Sequence, residues 1–118
     1  MAELTEGRHA GEFILSVGNG NVSFDNGTLA AGNLAAGTVL GLVDDEYVAF
    51  DPDSSGTDQD AVAILLDNVD ASAAEKPCVV VVRAAEVIGD ALTWPEGISA
   101  PAKAAAIEQL RVLGVIVR

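Results

Sequence analysis

The stretch Pro77-Cys78-Val79-Val80-Val81-Val82 constrains the fold more than any other part of the chain. Four consecutive β-branched residues favour an extended backbone, and a strand without polar alternation has no face to offer water. Val79 to Val82 is therefore predicted to be buried on both sides, with packed material above and below it. A chain of 118 residues has room for one domain that buries roughly two thirds of its unfolded surface. Aromatics are only 4% of the residues although half are hydrophobic, so the interior must be built largely from small side chains. Such a core buries less area per residue, at about 25 cal/mol per Å². Modest stability of the monomer is expected unless association adds to it.

The rest of the chain reads as short extended pieces. Met1 to about Gly11 has no hydrophobic periodicity and is expected to be an exposed arm, followed by a short strand at "EFILS". "VGNGNVSFDNGT" is rich in Gly and Asn and predicts turns, with a hairpin at Asn26-Gly27. Glycines at 27, 32, 37 and 41 match neither the helical nor the strand period, and suggest apolar pieces separated by tight turns. "TVLGLV" and "EYVAF" flank Asp44-Asp45, a turn pair between strands, and "DPDSSGTDQD" is a polar loop. "AVAILLDNV" and "PCVVVVRAAEV" are the strongest strand signals.

One helix stands out. Ser99 can cap it, Pro101 lies in its first turn, and Ala102 to Leu113 are mostly strong helix formers. At 100° per residue Ala106, Ile107, Leu110 and Leu113 share one arc, while Glu108 and Arg111 can pair on another. Gly114 is placed to end the helix, and "VIVR" returns as an extended tail. Many short strands with one late helix make a mainly β domain of α+β or all-β class.

Charge excludes several functions. The formal net charge is −12, and Arg8, Lys76, Arg83, Lys103, Arg111 and Arg118 are scattered among eighteen acids. Phosphate backbones and anionic membranes need clustered cations, so neither is an expected partner. The single cysteine, Cys78, is expected to be a buried thiol in a strand. There is no basic-then-apolar leader, and the uncharged stretch from Asn26 to Val43 carries too many glycines and asparagines for a membrane helix. The expectation is a soluble protein made in a cytoplasm.

Candidate chemistry is sparse. Asp51, Asp53, Ser55 and Gly56 fit the start of a calcium loop, but its twelfth position, which needs a bidentate carboxylate, is Val62. "GNLAAGT" has the gap of a phosphate loop without its lysine, and "GNGNVS" lacks the third glycine of a dinucleotide turn. His9 is the only histidine, and its neighbours Arg8 and Ala10 supply neither a metal ligand nor a nucleophile. The acids Asp44, Asp45, Glu46, Asp51, Asp53, Asp58 and Asp60 are close in sequence and read first as a wet face. Trp94 before Pro95 is either a core aromatic plugging one end of the interior or an interface anchor.

Particular words of the sequence go further. "TEGRHAGEFILS", "TLAAGNLAAGTVLG", "ILLDNVDA", "VVVVRAAEV", "LTWPEGI" and "KAAAIEQLRVLGVIVR" together resemble the head decoration proteins of tailed phages, of the lambda type and in particular a branch common in prophages. The resemblance runs in one order from about Thr5 to Arg118. It implies a β-clip fold, a bent ribbon closing into a partial barrel with one C-terminal helix. It also implies a homotrimer on three-fold and quasi-three-fold sites of the outer surface of an expanded capsid, with the phage major capsid protein as partner. There it would hold the shell against packaged DNA, with no enzymatic activity and no cofactor. The capsid-docking arm carries over to Leu4, Thr5, Glu6, Gly7, Arg8, His9, Ala10, Gly11, Glu12, Phe13 and Ile14. Residues 1–14 would then form the arm and 15–118 the decoration domain, with Trp94 and Pro95 as trimer or core anchor. The competing reading is a small β-clip domain that binds a ligand or metal through the acidic 44–60 region, and a further one is an assembly scaffold outside phage heads.

Overall fold

The computed structural model describes residues 9–118, and the protein is mainly β with one α-helix near the C-terminal end, as the sequence predicts. Along the chain run β1 (Ile14–Val17), β2 (Phe24–Leu29), β3 (Gly32–Leu34), β4 (Val39–Val43), β5 (Glu46–Ala49), β6 (Ala63–Leu65), β7 (Val69–Ala71), β8 (Lys76–Val81) and β9 (Ala85–Val87). The helix α1 (Ala100–Leu113) and a last strand β10 (Val115–Val117) follow.

The middle of the chain makes a ring of strands in the order β2-β5-β4-β6-β8. Its longest seam is antiparallel, β2 on β8, from Phe24↔Val81 to Leu29↔Lys76. Its weakest is the single parallel bridge Leu29↔Tyr47 between β2 and β5, reinforced by the Ala30 N–H donating to the Tyr47 carbonyl at 2.9 Å. Strands β3 and β7 form a separate ribbon. The two ends of the chain make a second layer, β1-β9-β10, in which β1 runs antiparallel and β10 parallel to β9.

Strand alternation divides the interior in two, because successive side chains leave a strand on opposite faces. On β8, Val81 joins one apolar cluster while Val80 and Cys78 join the other. The same split separates Ile64 from Ala63 and Leu65 on β6, and Val39 from Leu40 on β4. Val80 and Val81 therefore form a wall between two cores, while Val79 and Val82 on either side of them are only half-buried. The first cluster adds Phe13, Val87, Val115, Ala106 and Leu110, so it lies between the ring and the layer made by the chain ends and α1. The second draws on the ring and β7, with Leu29, Ala63, Ala71 and Val80 among its buried members. Small side chains suit a ring of few strands, whose interior is narrow.

The helix forms as its signals predict. Ser99 Oγ accepts from the Ala102 N–H at 3.2 Å, and Gly114 ends the helix in the left-handed region at φ 99°. Its apolar arc is shorter than the sequence suggests. Ala106 and Leu110 are fully buried and Ile107 half-buried, but Leu113 is 44% exposed. The core meets only the middle of α1, and Gly114 turns the chain back into β10 before Leu113 reaches cover.

Asn26-Gly27 is not a hairpin turn. Both residues lie within β2, opposite Val79 and Cys78. Gly27 is there because the Tyr47 ring covers its face: a Cβ at this position would stand 2.5 Å from Tyr47 Cε2. Gly41, inside β4, is likewise overlaid by the backbone of Asp58. Gly32 and Gly37 do mark tight turns, both with φ above 90°. Asp44 and Asp45 form the expected two-residue turn between β4 and β5, both with positive φ, as a hairpin matched to strand twist requires.

Candidate functional site

Of the arm expected over Leu4–Ile14, Leu4 to Arg8 lie outside the described residues. From His9 onward the chain is built into the body. The Gly11 N–H donates to the Leu66 carbonyl at 3.0 Å, the Glu12 N–H to the His9 carbonyl at 3.2 Å, and the Ile14 N–H to the Gly11 carbonyl at 3.0 Å. Phe13 is fully buried in the first core cluster, and its carbonyl accepts from the Ile88 N–H at 2.8 Å. Ile14 opens β1 opposite Val87. Gly11 to Ile14 are thus joined to the body by backbone hydrogen bonds and by the buried Phe13. The signal was present in "FIL", an apolar triplet after a polar run. Strand β1 pairs only with β9 among the described strands, so its other edge is open.

Trp94 faces the interior. It packs against the first cluster with Nε1 buried and without a hydrogen-bond partner, and the Lys103 ammonium stands 5.4 Å from its ring centroid. With Pro95 it borders an open cavity of about 290 Å³, alongside Leu34, Val39 and Phe50.

The acidic region does not converge. The Asp58 backbone lies on Gly41, and its carbonyl accepts from the Asp51 N–H at 2.9 Å. Asp51 Oδ1 accepts from the Asp53 N–H at 3.0 Å, and Asp58 Oδ1 from Ser54 Oγ at 2.6 Å. Asp60 is tied to the helix, where Gln109 Nε2 donates to its Oδ1 at 2.9 Å while Gln109 Oε1 accepts from the Ala61 N–H at 2.8 Å. These carboxylates shape turns and anchor a loop, and among the described residues no three His, Cys, Asp or Glu side chains are grouped as metal ligands would be.

One carboxyl has an unusual setting. Glu46 opens β5, and its Oε2 is buried with no hydrogen-bond partner. Glu75, in the connection between β7 and β8, lies beside it. Two carboxylates have no proton to donate, so the pair gains a hydrogen bond only when one is protonated. That hydrogen bond to Glu75, then burial, then the negative charges of Glu75 and Asp44 push the Glu46 carboxyl above its ordinary range. Elsewhere the titration is ordinary structural chemistry. Burial raises the Cys78 thiol and keeps it unreactive. Hydrogen bonds from Arg118 and Ser16 lower the Glu86 carboxyl.

The described residues thus offer an anchored N-terminal segment and the strand β1, paired on one side by β9. A family model described as bacteriophage lambda head decoration protein D matches residues 3–115. No curated protein matches the chain. The matching family is one of structural proteins of the phage head, not of enzymes. Because the match spans both layers of the fold, the anchored N-terminal segment and the capped helix, the chain belongs to the family of bacteriophage lambda head decoration protein D.

Proposed function

We propose that the protein is a capsid cement: a homotrimer that binds three-fold and quasi-three-fold sites on the outer surface of the expanded phage head and stabilises it against the pressure of packaged DNA. The observation that carries this reading is the family match over residues 3–115. The major capsid protein is the partner, engaged by the segment Leu4–Arg8 together with the root at His9–Ile14. An arm that orders on docking loses conformational entropy, which backbone hydrogen bonds formed by strand addition can offset. Repeated sites on a shell multiply modest affinities, so each contact need not be strong. The net charge of −12 suits a solvent-facing surface and not one that touches DNA.

Co-sedimentation with expanded and unexpanded heads tests the reading. The full chain should pellet with expanded heads only, and failure to bind them would overturn the assignment. The informative truncation removes residues 1–8, because a longer one would take Phe13 out of the core. It should fold, as judged by circular dichroism, and bind expanded heads poorly. Full binding by that truncated protein would remove the arm from the mechanism.

A further inference from the structure

The exposed large apolar side chains among the described residues are Leu15, Val17, Val22, Val112 and Leu113. They come from three separate parts of the chain, yet three of them gather around one turn, Arg83-Ala84, between β8 and β9. Val17 pairs with Ala85 across β1 and β9. The side chains of Val22 and Ala84 both crowd the face of Gly18, and Arg83 Nη1 donates to the Val22 carbonyl at 2.8 Å. Leu113 arrives from the helix, since the Ala85 N–H donates to the carbonyl of Gly114 at 3.2 Å.

Charge follows the same division. At this turn the acid is matched by an arginine: Arg83 holds Asp25 at 2.9 Å. On the outer face of β9, Glu86 accepts from Ser16 at 2.8 Å and from Arg118 at 2.6 Å. Residues 44–60, by contrast, carry seven acids and no lysine or arginine. Copies of a chain with net charge −12 repel one another over most of their surface. They can approach closely only where charge is already neutralised within each copy and apolar area is available for burial.

We propose that the neutral apolar surface formed by Val17, Val22, Ala84 and Leu113, beside the Arg83–Asp25 pair, is where a second copy of this chain docks. This rests on the self-association in the reading above and names the surface that serves it. Trp94, the other anchor candidate, is half-buried against the first cluster and lies apart from this turn in the sequence.

Sedimentation equilibrium on the full chain, from micromolar to millimolar protein and at low and high salt, tests the assignment. The wild type should associate, and more tightly in high salt, because screening weakens the general repulsion while leaving an apolar contact intact. Val22→Asp combined with Leu113→Asp should weaken association by about tenfold or more, with an unchanged circular dichroism spectrum. If the double variant folds poorly, Val22→Ser alone should still shift the association in the same direction. Variants that associate like the wild type would overturn the surface assignment while leaving the capsid reading intact. Variants that associate normally but fail to pellet with expanded heads would assign the patch to the capsid instead, and overturn it too. A wild type that stays monomeric throughout would overturn the surface as a contact between free copies, while the capsid reading, carried by the family match, would stand.

Discussion

The two cores of this small protein are built by different parts of the chain. The ring core belongs to the middle, residues 24–81, where Leu29, Leu40, Leu65 and Val80 meet inside a closed set of strands. The outer core is shared between the ring and the two chain ends, which supply Phe13, Ala106, Leu110 and Val115. The first is sealed by backbone pairing that returns on itself. The second is sealed by segments that can in principle leave. Because Phe13 belongs to the outer core, that core is the one that would feel any pull on the N-terminal segment, while β8 stands between it and the ring core.

The largest expected effect tests that division directly. Phe13→Ala removes a fully buried aromatic at the arm's root and should cost about 3–5 kcal/mol in urea unfolding. Hydrogen exchange should show amides of β1 and β10 losing protection before those of β8. Equal loss in both would mean the two cores unfold as one. Gly27→Ala attacks the ring instead. Its new methyl would meet the Tyr47 ring next to the single bridge that closes β2 on β5, so a loss of about 1–3 kcal/mol is expected in thermal unfolding.

A smaller change in the opposite direction is expected at Ala84. It holds φ 52°, a region that costs a side-chain-bearing residue about 1–2 kcal/mol, so Ala84→Gly should stabilise by up to about 1 kcal/mol after glycine's greater freedom when unfolded is subtracted. A destabilised A84G protein would show that the methyl packed against Gly18 matters more than the strain.

The subtlest prediction concerns the ring's rim. Glu46 has a folded pKa raised above its unfolded value, so its contribution to stability is fully present below the unfolded value and is lost as pH rises through the folded one. Glu75→Gln removes the partner charge and should flatten this part of the melting temperature against pH between mildly acidic and neutral conditions. An unchanged profile would show that the two carboxyls do not share a proton.

These contrasts also explain what the sequence disclosed. Local signals were sufficient where local physics decides: the Ser99 cap and Gly114 stop of α1, the Asp44-Asp45 turn, and the unbroken valines of β8. They misled at Asn26-Gly27, where a strong turn signal was overruled by a tyrosine twenty residues away that needs a bare backbone beneath it. Ring closure through Leu29 and Tyr47 is a parallel bridge between strands separated by two others, and no short-range pattern marks it. The site was legible as an arm because a polar run ends in "FIL", but where the arm joins the body depends on which of those residues the core accepts. The patch around Ala84 was invisible, since its members lie as far apart as Val17 and Leu113 and each looks ordinary alone.

The shared register of β1 and β10 on β9 bears on how the protein can be engineered. Ile14 and Val117 both stand beside Val87, one strand spacing to either side, which leaves about 10 Å between them. A cargo joined after Arg118 would therefore emerge next to the arm and compete with it for room against whatever the arm grips. A flexible spacer of some eight Gly/Ser residues, reaching roughly 15 Å, would carry the cargo clear without disturbing either core.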